Sequence, residues 1–286
     1  MMTNTYDFQE GIRLLRQPVL PLIGMVQFLF LTGDFATVDE VINQLPPDID
    51  TAFTTYANPI TSLQPYIDLL QPLVAFKKGQ VVQQTVLDVN FQPIDTFTAT
   101  MALVAQEVLT RELEQINSVL CAPCGCNLCC IGPDQGMQQF FFEIPLRPEE
   151  VDQFPLDCID TPLSRLSRSN DDTALRVQHN EFYHHPAPLL VHWQNGWSLV
   201  LPTGSHCPHL EEMRLCRIYP KRPQVCRRPQ IFPYVVEASA EGHQILFLRN
   251  SLLAVADCPY VRLLHEEISA YGAACELDVI FRQNKV

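Results

Sequence analysis

Cysteine and histidine are missing from residues 1–120, and all 11 cysteines and all eight histidines lie from Cys121 onward. This asymmetry constrains the chain more than any other feature. The first part must be held together by apolar burial and hydrogen bonds, and thiol or imidazole chemistry is confined to the second. The second part opens with "CAPCGCNLCC" at residues 121–130, five thiols in ten residues. Three chemistries compete for such a run: a disulfide scaffold, a metal or iron-sulfur site, and a redox-reactive thiol relay.

Composition narrows the choice. The opening "MMTNTYDFQEGIR" lacks the basic-then-apolar order of a secretory leader. The longest apolar run, "VLPLIGMVQFLFL" from Val19, falls short of the ~20 residues that span a bilayer. It is expected to be core, with a peripheral membrane anchor as the alternative, so no transmembrane segment is expected. A cytoplasmic location follows as the default, and in a reducing compartment clustered cysteines are more often metal-binding or catalytic than paired. An odd total of 11 cysteines cannot pair completely within one chain. The formal net charge of -13 argues against nucleic acid and anionic membranes as partners.

The expected fold class is α+β: an N-terminal helical part followed by a cysteine-rich metal-binding domain with short β-hairpins and a C-terminal helix. The boundary is set at residues 1–116 and 117–286. In the first part "TVDE", Thr37 to Glu40, has capping-box spacing and predicts a helix ending before Pro46 and Pro47. Phe97, Met101, Val104, Val108, Leu113, Ile116 and Leu120 recur on one helical face, and that helix runs into Cys121. This part reads as a helical platform whose stripe is core, with a protein partner as its alternative use. Later the period changes. "FFFEIPL" (140–146) predicts a strand, Asn195-Gly196 predicts a hairpin through a I′ turn, and "AEGH" separates two further strand-like runs. Residues 160–173 read as a polar surface loop, and a closing helix is expected from about Tyr260 to Arg282.

Two Cys-x-x-Cys steps, Cys121/Cys124 and Cys126/Cys129, allow pairs of thiolates to converge on one ion across a turn. Cys130 follows at once, and side chains of adjacent residues are expected to diverge, so Cys129 and Cys130 are not expected to serve one ion equally. "HCPHLEEMRLCRIYPKRPQVCRRP" adds Cys207, Cys216 and Cys226, and "ADCPY" adds Cys258. Pro220, Pro223 and Pro229 stiffen this second segment. Arg214, Arg217, Lys221, Arg222, Arg227 and Arg228 surround its thiols, a basic exception in an acidic chain that would offset the charge of a thiolate-bound metal. The alternative is an ordinary basic surface loop. His206 and His209 flank Cys207 and could ligate or donate from behind the ligands. His184 and His185 read as loop histidines, and Cys158 and Cys275 as ordinary thiols. Tyr219 and Arg222 read as shaping the loop, and Glu149 and Glu150 as the first turn of a helix.

At these residues the sequence resembles the YkgJ-type cysteine-cluster family, the CxxCxxCC zinc- or iron-chelating domain. The resemblance rests on Cys121 to Cys130, on "CPHL" at Cys207, on "CRIYPKRPQVCRRP" at Cys216 to Pro229, and on the strand-and-acidic-turn character of "FFEIPLRPEEVDQF". It covers about residues 117–260. The spacing here, C-x-x-C-x-C-x-x-C-C, departs from a strict CxxCxxCC. The resemblance implies zinc or an iron-sulfur cluster, [4Fe-4S] included, held by some of Cys121, Cys124, Cys126, Cys129, Cys130, Cys207, Cys216, Cys226 and Cys258. It is distantly similar to the cysteine domain of flagellin lysine N-methylases. Three functions remain open: a structural metal module, an iron-sulfur protein that transfers electrons or supports an enzyme such as a protein methylase, and a thiol redox sensor. No P-loop, H-E-x-x-H, G-x-S-x-G or glycine-rich nucleotide signature is present.

Overall fold

The computed structural model describes residues 7–80, 84–170, 175–177, 180–211, 215–228, 230–239 and 242–283. The fold is α+β, and the chain divides into two compact units. One comprises Met1–Pro123 together with Gln230–Lys285, and the other Cys124–Pro229. The C-terminal segment therefore joins the helical part instead of the cysteine-rich one.

The discontinuous unit begins with α1 (Gln9–Leu15), α2 (Leu20–Thr32) and α3 (Val38–Asn43). A small hairpin, β1 (Asp48–Asp50) and β2 (Thr55–Ala57), follows, and then α4 (Pro59–Leu63), α5 (Gln71–Lys77), β3 (Thr85–Leu87) and the long α6 (Thr96–Cys124). By length and composition, Gln9–Thr32 is apolar enough to cross a membrane. Here it forms two helices, and Leu22, Ile23, Val26 and Phe30 are buried in the core with Val41, Leu70, Val104 and Val108. Thr37 caps α3 by accepting from the Glu40 N–H, and the Glu40 carboxylate reaches back to the N–H of Ala36, one residue earlier than a standard capping box places it. Lys77 donates to the carbonyls of Phe30, Gly33 and Phe35, which satisfies the open end of α2. The α6 stripe is buried from Val104 to Leu120, whereas Phe97 at its start is 48% exposed.

The second unit is built on one sheet. Its strands are β4 (Phe141–Leu146) and β5 (Cys158–Ile159), then, beyond the two-residue pair β6 (Arg176–Val177) and β7 (Asn180–Glu181), β8 (Leu189–Trp193) and β9 (Gly196–Pro202). The order is β4-β9-β8-β5. Leu189, Val191, Trp193 and Val200 pack on one face, and Leu190, Leu199, Leu201 and Leu146 on the other. Both faces are covered, which explains why these strands read as continuous apolar runs. The β8–β9 hairpin forms as expected, with Trp193 opposite Gly196. Its turn residues are Gln194 and Asn195, and only Gly196 has a positive φ, at 122°, so the turn is not I′. The polar segment from Asp160 contains a short 3-10 turn, Ser164–Leu166, and a two-armed Asp160–Arg165 ion pair; its residues 171–173 lie outside the described residues.

The chain then returns to the first unit through β10 (Ile231–Ser239) and β11 (Gly242–Val255), an antiparallel pair whose turn at 240–241 lies outside the described residues. α7 (Pro259–Leu263) and α8 (His265–Ala274) follow. The expected closing helix does not continue to Arg282. It stops at Ala274, and β12 (Asp278–Arg282) pairs in parallel with β11, which also pairs in parallel with β3. This sheet explains the division of the chain. A β-bulge between Tyr234 and Val236 turns N–H groups out of the ladder, and the Gln106 side chain accepts from Val235 and Val236. Three helical turns along α6, buried Asn117 accepts from the Ile231 N–H and donates to the Ile231 carbonyl. Two amides of α6 thus act as a substitute strand beside β10.

Candidate metal centre

Three backbone hydrogen bonds align the two cysteine segments of the Cys124–Pro229 unit. The Cys207 N–H donates to the Cys130 carbonyl at 2.7 Å, the Gly132 N–H to the Ser205 carbonyl at 2.8 Å and the Gly204 N–H to the Pro133 carbonyl at 2.9 Å. Ile131 forms a β-bridge with His206 between them. This ladder places Cys130 beside Cys207. The approach requires glycine: a Cβ on Gly132 would lie 2.1 Å from the Pro202 carbonyl oxygen. Cys207 and Ile218 pack on the Leu190–Leu199 face, so the core of the sheet carries the second cysteine segment.

Five thiols form one electrostatically linked group: Cys129, Cys207 and Cys226 are each in range of the other two, Cys130 is in range of all three, and Cys216 is in range of Cys207 and Cys226. The Cys130 S–H donates to Cys129, which with burial and the neighbouring thiols raises Cys130 far above an ordinary thiol. The adjacent side chains therefore meet instead of diverging. They sit in a 3-10 turn, Leu128–Cys130, which is tighter than an α-helix. Burial raises Cys207, with Cys216 and Cys129 adding to it, while the N–H groups of His209 and Leu210 donate to its sulfur and oppose the rise. Burial pushes Cys226 up to about 12, with Cys129, Cys207 and Cys216 raising it and Arg222 lowering it. As the chain stands, each thiolate would destabilise its neighbours. Cys124 and Cys126 belong to the same unit, whereas Cys121 and Cys258 belong to the other, where Cys258 is buried at the start of α7. Among the described residues, no group of three or more His, Cys, Asp or Glu side chains forms a ready-made metal site.

The groups around the thiols are fixed closely. His209 is buried, its Nδ1 faces an Arg217 N–H at 3.1 Å and its Nε2 faces the Gln153 carbonyl at 2.8 Å. Arginine only donates, so Nδ1 accepts and Nε2–H donates. Both ring nitrogens are occupied, and His209 supports the loop instead of ligating. His206 is exposed. Arg222 is buried, its guanidinium lies 3.6 Å from the Tyr219 ring centroid, and its carbonyl accepts from Arg227 at 3.1 Å, so Tyr219 and Arg222 shape the loop as expected. Arg214 and Pro229 lie outside the described residues.

Glu150 has a role that sequence reasoning missed. It lies in a 3-10 turn, Pro148–Gln153, where one carboxylate oxygen accepts from the Arg147 N–H and the other from the Gln224 N–H at 2.7 Å. The acidic turn thus holds the segment carrying Cys226. Only the acidic-turn pattern signalled it, because Gln224 is 74 residues away. Cys158 is exposed on β5, and Cys275 is buried immediately after α8. Comparison with models of known families, with curated proteins and with solved structures finds no match.

Proposed function

We propose that the Cys124–Pro229 unit is a cysteine-ligated metal module of the YkgJ-type cysteine-cluster kind, holding zinc or an iron-sulfur cluster through thiolates drawn from Cys129, Cys130, Cys207, Cys216 and Cys226. One observation carries this reading: five thiols from segments far apart in sequence converge where each disfavours its neighbours' ionisation. A bound cation reverses that repulsion, since coordinating thiols are deprotonated outright. The donor set fits. Sulfur ligands suit zinc and iron-sulfur clusters, and the two N–H donors to Cys207 are the kind of hydrogen bond that stabilises metal-bound thiolate. The group would supply cross-linking between loops if zinc, or one-electron chemistry if an iron-sulfur cluster. This chain's residues hold the thiols in register, through the Cys130–Cys207 ladder, Glu150, His209 and Arg222.

The test is metal and acid-labile sulfide content of protein purified without oxygen. Wild type is expected to carry stoichiometric zinc, or iron with near-equal sulfide. The double variant Cys216→Ser, Cys226→Ser is expected to lose it, and Cys158→Ser to keep it. Metal-free wild type, or full retention in the double variant, would refute the proposal.

A further inference from the structure

The discontinuous unit contains an open cleft of about 520 Å³, a volume within the range of small-ligand sites. Its walls include Gly24 and Gln27 of α2, Met101 and Ala105 of α6, Asn250 of β11 and Glu276 after α8. The space exists because small residues face it: a Cβ built on Gly24 meets nothing within 4 Å. Apolar surface makes up slightly more than half of the wall, and Glu276 is the one charged side chain among the residues lining it.

Glu276 sits where glycine is usual. The Glu276 N–H donates to Ala273 and the Leu277 N–H to Gly272, the hydrogen-bond pattern of a Schellman helix end, and φ at Glu276 is 57°. A left-handed position costs a glutamate more than a glycine, so this helix end carries a carboxylate at some expense to local stability. Asn250, on the same wall, is also left-handed, with φ of 47°. Strained backbone tends to cluster at functional sites. We propose that this cleft binds an organic cation with an apolar body, an aliphatic ammonium in the simplest case, its charged head at Glu276 and its chain against Met101 and Ala105. A fatty carboxylate of the same length meets no cation on this wall and faces the charge of Glu276.

The experiment titrates octylammonium, 1-octanol and octanoate into the full chain by calorimetry. Saturable binding is expected in the order ammonium, alcohol, octanoate, with about three- to fivefold between the first two, as a rim charge provides. Glu276→Gly suits the backbone and is expected to melt at or above wild type while erasing the preference for ammonium. Gly24→Phe fills the open space and is expected to abolish binding of all three. Absence of saturable ammonium binding, octanoate binding as tightly, a preference that survives Glu276→Gly, or binding retained by folded Gly24→Phe would each overturn the proposal.

Discussion

Glu112 lies inside the discontinuous unit, where its two carboxyl oxygens accept from the Val19 N–H at 2.8 Å and the Tyr271 hydroxyl at 2.7 Å. Burial raises its pKa from 4.5 to about 7, more than these hydrogen bonds lower it. A carboxyl raised on folding stabilises fully below its unfolded value, and the contribution is lost as pH rises through the folded one. The window therefore runs from about 4.5 to above about 7 and is worth on the order of 3 kcal/mol. Glu112→Gln, which cannot ionise, is expected to melt with a shallower pH slope than wild type across this window, as measured by calorimetry. An equal slope would remove Glu112 as its source. Gly132 acts at the same scale. Gly132→Ala drives a methyl into the Pro202 carbonyl and is expected to cost about 2 kcal/mol and to lower metal content, because it disturbs the Cys130–Cys207 register. Unchanged melting and metal content would show that the ladder tolerates the shift.

At the scale of elements, α6 is the organiser. Asn117 serves the Ile231 N–H and carbonyl and also accepts from the Tyr260 hydroxyl at 2.6 Å. Asn117→Ala removes the side chain that serves the buried Ile231 N–H and carbonyl and is expected to destabilise by about 3 kcal/mol in denaturant titration. The period of α6 was legible because its stripe is local, and the two hairpins because strand runs flank short polar turns. β12 was not. The end of α8 carries Glu276 where a glycine would have signalled the stop, and β12 gains its partner in parallel from β11, across two helices. The clustering of thiols was legible from spacing, whereas the register of the two cysteine segments was not, since it depends on backbone bonds between residues 130–133 and 204–207. The amides of Asn117 and Gln106 and the carboxylate of Glu150 look ordinary in sequence because their long-range partners are 74 to 143 residues away.

For the whole molecule, the metal reading implies unequal stability. Chelation is expected to expose amides of the Cys124–Pro229 unit to hydrogen exchange while protection persists in α6, β10 and β11; loss of protection throughout would mean the metal holds the entire chain. The Asn117–Ile231 bonds have one more consequence. They bring residues on either side of the cysteine unit together, so that unit is a continuous insertion whose host is completed only by later residues. On a ribosome adding about 5–20 residues per second, the N-terminal helices wait roughly 5–20 seconds for β10 to begin, while the thiol-bearing segment is finished first. On the metal reading, capture would precede closure of the host, and the order of synthesis itself would become the assembly schedule.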